Sequence, residues 1–94
     1  MRVSVVIPTR NRAELLARAI AGVAAQTHPD IELIVVDDGS APDQTARNAQ
    51  LVATVSGARL IVLPPADGPG NGPSFVRNAG LVAASGALVA FCDD

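Results

Sequence analysis

Apolar and polar positions along the chain change their period repeatedly, and each change marks the edge of an element. Val3-Ser4-Val5-Val6-Ile7 is short, β-branched and nearly all apolar, the pattern of a central parallel strand covered on both faces. Pro8 is expected to stop it. After Pro8-Thr9-Arg10, Asn11 stands where it can cap a helix, with Glu14 at the reach-back position of a capping box. Leu15, Leu16, Ala19, Ile20 and Val23 then recur on one face at helical spacing. Gln26-Thr27-His28-Pro29-Asp30 turns the chain, and the run 31–36 is a second strand.

Gly39-Ser40 breaks that strand before Pro42 and Asp43 open a second helix, expected over 42–55. Its amphipathicity is weak, because Gln44 and Asn48 share the face of Leu51, Val52 and Val55. Gly57 ends it, and Arg59-Leu60-Ile61-Val62-Leu63 forms the third strand. Residues 64–73 combine Pro, Gly, Asp and Asn in a composition suited only to a loop. The third helix is expected over 74–85, with Phe75, Val76, Ala79, Val82 and Ala83 on its apolar face and Gly86 closing it. A fourth strand, 87–92, follows at once.

Strands alternate with helices throughout, without a hairpin signal or a repeat, so right-handed βαβ crossovers and an open parallel sheet follow. The expected fold is α/β and Rossmann-like, in the order βαβαβαβ. Residues 1–94 are read as a single domain. Because the fourth strand runs straight into Asp93 and Asp94 at the end of the sequence, they are also read as the front half of something larger.

Composition narrows the chemistry. Some 49% of residues are apolar, and Phe75 and Phe91 are the only aromatics, so the core must come from Ala, Val, Leu and Ile. The seven basic residues are all Arg, the net charge is −2, and no stretch gathers Arg into a stripe, which argues against a nucleic-acid groove. Cys92 is the only cysteine, expected as a buried strand residue, so an internal disulfide is excluded and a reducing compartment is the simpler reading. No signal-peptide pattern precedes Val3, and no apolar run reaches the length of a bilayer span. The expected location is cytoplasmic, at the cytosolic face of a membrane if the chain belongs to a longer, membrane-associated protein.

The most informative polar feature is the pair Asp37 and Asp38 at the tip of the second strand, matched by Asp93 and Asp94 at the tip of the fourth. Carboxyl ends of parallel strands form the crevice where ligands bind in open α/β sheets. Asp37 or Asp38 can also simply start a turn with Gly39 and Ser40, and Asp93 and Asp94 can be frayed terminal residues. Two adjacent carboxylates repel, however, and a cation would relieve them.

The first loop has no glycine between Val3 and Ala21, so it is not the dinucleotide fingerprint, and a chain without Lys has no Walker motif. A nucleotide here would need its phosphates neutralised by acids that bind Mg²⁺ or Mn²⁺. Arg77, in the first turn of the third helix and opposite its apolar face, reads equally as a solvated residue or as a phosphate ligand. Arg10 and Arg12 flank the first loop with the same two readings. His28, before a Pro, is read as surface structure.

Taken together, Val3-Ser4-Val5-Val6-Ile7-Pro8-Thr9-Arg10-Asn11-Arg12, Gln26-Thr27-His28-Pro29, Val35-Val36-Asp37-Asp38-Gly39-Ser40, Arg77-Asn78-Ala79-Gly80 and Phe91-Cys92-Asp93-Asp94 resemble family 2 glycosyltransferases of the GT-A fold in order and in spacing. The resemblance implies an inverting transferase that moves a sugar from a nucleotide-diphosphate donor to an acceptor hydroxyl with a divalent cation, Mg or Mn. It places Thr9 and Asp38 around the base, Arg77 on the nucleotide, Asp93 on the ribose and Asp94 on the metal. Arg10 stands where the family often has an aromatic residue, and a guanidinium plane can stack in its place.

The chain would then be the donor-binding half, inactive alone. A saccharide or lipid-linked acceptor of polysaccharide biosynthesis, and the general base, would belong to sequence beyond residue 94. The alternatives are a non-catalytic nucleotide-binding module and a receiver-type signalling domain. The latter needs an acidic pair after the first strand and a late Lys, and the chain has neither. An apolar fourth strand at a sheet edge also predicts self-association.

Overall fold

The strand-helix alternation is realised as β1 (Val3–Thr9), α1 (Ala13–Ala24), β2 (Ile31–Asp37), α2 (Pro42–Ala53), β3 (Arg59–Val62), α3 (Pro73–Ala83) and β4 (Leu88–Phe91). The computed structural model describes residues 2–26, 30–64 and 70–92. The four strands form one parallel sheet in the order β3-β2-β1-β4. This is the expected α/β Rossmann-like order, with β1 at the centre and its residues Val3 to Thr9 in register with Ile31 to Asp37.

The period of two along β1 and β2 sorts their side chains into two cores. Val5, Ile7, Leu33 and Val35 face α1 and α2, where they meet Leu16, Ile20 and Val52. Val6, Ile34 and Val36 face the other way, onto Val76 of α3 and onto Leu63. Both faces are covered, which is why the two central strands read as nearly unbroken apolar runs. At about 1.5–3 kcal/mol for each fully buried Val, Leu or Ile, these side chains supply most of the driving force for folding. Helix α3 approaches closely because Gly80 lies directly over Val6: a Cβ there would collide with both Val6 methyl groups.

Four local expectations fail. Pro8 does not stop β1 but continues it, paired with Val36. The Cys92 amide bonds the Val6 carbonyl at 3.0 Å, so residue 8 points toward the same side of β1, past the end of β4, where its missing N–H breaks no ladder bond.

Asn11 does not cap α1. It sits at φ +52, and the helix starts at Ala13 without a side-chain cap. The apolar stripes are narrower than predicted: Leu15 of α1 and Phe75 and Val82 of α3 are exposed, while Leu16, Val76 and Gly80 are buried. Phe75 and Val82 instead border an open groove with Ile61 and Leu63. Cys92 is partly buried just beyond β4 rather than inside a strand.

At the amino-terminal ends of the strands a polar network closes the sheet. Ser4 of β1, fully buried, donates to Glu32 Oε1 (2.8 Å) and accepts from the Gly86 amide (2.8 Å). The Ser85 amide and hydroxyl donate to Glu32 Oε1 and Oε2, both at 2.9 Å. Arg2 donates to Ser85 Oγ (3.2 Å) and pairs with Asp30 (3.1 Å) and, more loosely, with Glu32 (3.8 Å). The amide of Ser85 and the hydroxyl of Ser4 hold the Glu32 carboxyl below its ordinary range. Among the described residues no helix is long and apolar enough to cross a membrane.

Candidate functional site

The opposite end of the sheet is built differently, and its construction begins with a division of labour between adjacent carboxylates. Asp37, the last residue of β2, is fully buried. It accepts from the Ser40 amide (2.9 Å), the Thr45 hydroxyl (2.9 Å) and the Asn48 side-chain amide (3.0 Å). Asp37 is therefore the turn-forming acid. The polar residues that weaken the amphipathic pattern of α2 are explained by the same contacts: Thr45 and Asn48 hold Asp37, and Gln44 accepts from the Ala13 amide at the start of α1 (3.2 Å).

Asn11 completes this frame. Its amide donates to Ser40 Oγ (2.9 Å) and its side-chain oxygen accepts from the Ala41 amide (2.7 Å), where α2 begins. The left-handed conformation, which Asn tolerates better than most residues, turns its side chain from its own helix to the neighbouring one. The loops after β1 and β2 are thus tied into one rigid rim.

Asp38, the next residue, has its amide bonded to the Thr9 carbonyl (2.8 Å). Its side chain turns away from the α2 frame to meet the segment before α3. Asn71 donates to Asp38 Oδ1 twice, from its backbone amide and from Nδ2, each at 2.8 Å, and Nδ2 also reaches the Pro64 carbonyl at 2.9 Å.

Beside this carboxylate opens a cleft of about 550 Å³ lined by Pro8, Thr9, Arg10, Asp38, Arg77 and Phe91 among others. That volume lies within the range of small-molecule sites. Two of its buried polar atoms, Thr9 Oγ1 and Arg10 Nε, have no partner among the described residues. Buried groups are normally satisfied, so such atoms at a cleft wall point to a ligand that completes them. The Arg77 guanidinium lies 5.4 Å from the centroid of the Phe91 ring, a cation–π contact that holds it at the cleft although it sits opposite the apolar face of α3.

Four of the sequence-predicted site residues, Thr9, Arg10, Asp38 and Arg77, therefore share one cleft, and Arg12 joins them. Asp93, Asp94 and His28 lie outside the described residues. Phe91 and Asn71 escaped the sequence reading. Phe91 stands in the sequence as a strand residue of the motif Phe91-Cys92-Asp93-Asp94 with no site role of its own, and Asn71 is one polar residue in a loop of glycines and prolines, where only its position between Gly70 and Gly72 hints at a fixed conformation.

The described lining sets one carboxylate, Asp38, against the guanidiniums of Arg10, Arg12 and Arg77. That balance suits an anion carrying one or more donor groups for Asp38. Among the described residues no group of three His, Cys, Asp or Glu side chains could hold a metal ion. The described donor set by itself therefore fits an anionic ligand and not a bare divalent cation.

The carboxyl ends of an open parallel sheet, where this cleft lies, are where α/β domains bind small molecules. The chain belongs to glycosyl transferase family 2, whose family model matches residues 4–94. It is 39% identical over 93 residues to an uncharacterised glycosyltransferase of Nostoc sp., covering 99% of this chain and 28% of that protein. It is 34% identical over 93 residues to the GalNAc(5)-diNAcBac-PP-undecaprenol beta-1,3-glucosyltransferase of Campylobacter jejuni, covering 99% of this chain and 29% of that protein.

Among solved structures it is similar to the mannosyltransferase PcManGT of Pyrobaculum calidifontis in complex with GDP-Man and Mn²⁺. The TM-score is 0.80 at 26% identity, over 98% of this chain and 27% of that one. It is also similar to S. aureus TarS 1-349 in complex with UDP-GlcNAc, with a TM-score of 0.78 at 31% identity, over 99% of this chain and 26% of that one. The sheet order and these neighbours give the chain the GT-A fold. The chain spans less than a third of the length of each of these relatives.

Proposed function

We propose that these residues form the donor-binding part of a glycosyltransferase that moves a sugar, with inversion, from a nucleotide diphosphate to an acceptor hydroxyl. The observation that carries the reading is the convergence of Thr9, Arg10, Asp38 and Arg77 on one cleft, with two buried polar atoms waiting for a partner. Relatives described as glycosyltransferases, and neighbours solved with UDP-GlcNAc and with GDP-Man and Mn²⁺, support it.

In this reading Asp38 accepts hydrogen bonds from the base and Thr9 lies against the base beside it, while Arg10 stacks on the nucleotide or faces its phosphates. Arg77 leaves its place on Phe91, or shares it, to meet the diphosphate. Asp93 would take the ribose, and Asp94 would hold a divalent cation, Mg or Mn, which when bound would supply electrostatic stabilisation of the departing diphosphate. The guanidiniums of this chain add fixed positive charge to the same leaving group, so the sugar departs into a preorganised field rather than into water.

The acceptor, a saccharide or a lipid-linked one, is bound by sequence beyond residue 94, together with the general base. The chain alone therefore transfers no sugar. It works in the cytoplasm, or at the cytosolic face of a membrane. The exposed edge of β4, carrying Leu88 and Phe91, is expected to pair with another copy when the protein is concentrated, which sedimentation would read as dimers or larger species.

Calorimetric titration of UDP, GDP and dTDP, each with and without Mn²⁺, tests the assignment. Binding of at least one, tightened by the cation, is expected. Binding indifferent to Mn²⁺ would favour a non-catalytic nucleotide module. Failure of all three to bind, or sugar transfer by these residues alone, would overturn the proposal.

A further inference from the structure

We infer that Asn71 is a positioning residue for nucleotide recognition: it clamps one oxygen of Asp38 so that the other is held out for the ligand. The inference rests on the donor-binding reading above. Three observations carry it. Asn71 spends its backbone N–H and one side-chain N–H on the same atom, Asp38 Oδ1, at 2.8 Å each. Its second side-chain N–H goes to the Pro64 carbonyl at 2.9 Å, just past β3, so the amide faces two acceptors and cannot turn round without placing its own oxygen against them. The flanking glycines, Gly70 at φ +100 and Gly72 at φ +95, bend the backbone around the carboxylate, and a Cβ on Gly70 would collide with Asp38 Oδ2 and crowd Arg10 Cδ at 3.2 Å.

The consequence is chemical. A carboxylate with a free torsion offers its lone pairs in many directions. One with Oδ1 doubly engaged offers Oδ2 in a single direction, set by a loop that also begins the helix bearing Arg77. Asn71 thereby links the group that reads donor N–H or O–H groups to the element that carries positive charge. It need not touch the ligand itself.

The test is a double-mutant cycle of Asn71→Ala with Asp38→Ala, read by calorimetry with whichever of UDP, GDP and dTDP binds the wild-type protein best, titrated into the millimolar range. Asn71→Ala is expected to weaken binding about tenfold, the scale of one lost well-placed polar interaction. The double variant should bind no more weakly than Asp38→Ala alone, because a clamp without its acceptor has nothing to hold. Gly70→Ala, which keeps Asn71 and displaces the carboxylate, should also weaken binding.

Wild-type affinity in Asn71→Ala overturns the inference and leaves the donor-binding reading standing. Equal losses in the presence and absence of the Asp38 carboxylate would also overturn it, since Asn71 would then act on the ligand directly or on the fold as a whole. Absence of nucleotide binding by the wild-type protein removes both.

Discussion

Among the described residues the buried polar side chains Thr9, Asp37, Asp38, Ser40 and Asn48 lie at the carboxyl-terminal end of the sheet and Ser4 at the amino-terminal end, and the two ends treat their polar groups in opposite ways. At the amino-terminal end, Ser4, Glu32, Ser85 and the Gly86 amide satisfy one another. At the carboxyl-terminal end, Asp37 is saturated, but Thr9 Oγ1 and Arg10 Nε are left open and Asp38 is only half engaged. An unmet buried donor or acceptor costs about 1–3 kcal/mol, a cost that a ligand bound in the cleft would recover for Thr9 and Arg10. The open groups at the cleft therefore mark the end where the proposed ligand binds, beside a frame in which Asn48 Oδ1 is also left without a partner among the described residues.

The largest expected effect separates Asp37 from Asp38. Asp37→Asn replaces an acceptor of three hydrogen bonds by a group that must present N–H to at least one donor, and should cost about 3 kcal/mol in urea unfolding. Asp38→Asn can keep its oxygen on Asn71 and should cost under about 1 kcal/mol, yet weaken nucleotide binding at least about tenfold. Equal destabilisation by the two variants would break the distinction between frame and site.

A smaller pair compares the ends through two hydroxyls. Ser4→Ala strands the Gly86 amide and removes a donor from Glu32, and is expected to destabilise by about 1–2 kcal/mol. Thr9→Val removes a hydroxyl that has no partner among the described residues, and should leave stability unchanged or raise it by about 1 kcal/mol while lowering nucleotide affinity. If denaturant midpoints fell alike in both, the open hydroxyl of Thr9 would be an ordinary structural group.

Much of this contrast was legible before any coordinates. The β-branched runs of β1 and β2, the alternation with helices and the acids at the strand tip led to the sheet and to the crevice at its carboxyl end, while Thr9, Arg10, Asp38 and Arg77 as site residues came from the family resemblance. Local pattern failed where a partner came from far along the chain. Asn11 reads as a cap for its own helix but serves α2, thirty residues away in sequence terms.

Asp37 and Asp38 look equivalent as letters, and only the positions of Asn48 and Asn71 tell them apart. Leu15, Phe75 and Val82 fit the helical period yet are exposed, Phe75 and Val82 beside an open groove that Ile61 and Leu63 also line. Ser85 and Gly86 read as a helix stop, and nothing local reveals that they also complete Glu32.

The smallest effect concerns acid. Because its hydrogen bonds hold the folded Glu32 carboxyl below the ordinary value of 4.5, the unfolded chain takes up the proton first as pH falls. The contribution of Glu32 is therefore fully present above about pH 4.5 and is lost as pH drops through the lower folded value. Glu32→Gln should remove this part of the acid sensitivity, so urea midpoints of wild type and variant should differ most above pH 5 and draw together toward pH 3. Parallel curves across that range would mean that the closed end of the sheet gains nothing from the charge of Glu32. Its contrast with the open end would then be one of hydrogen-bond geometry alone.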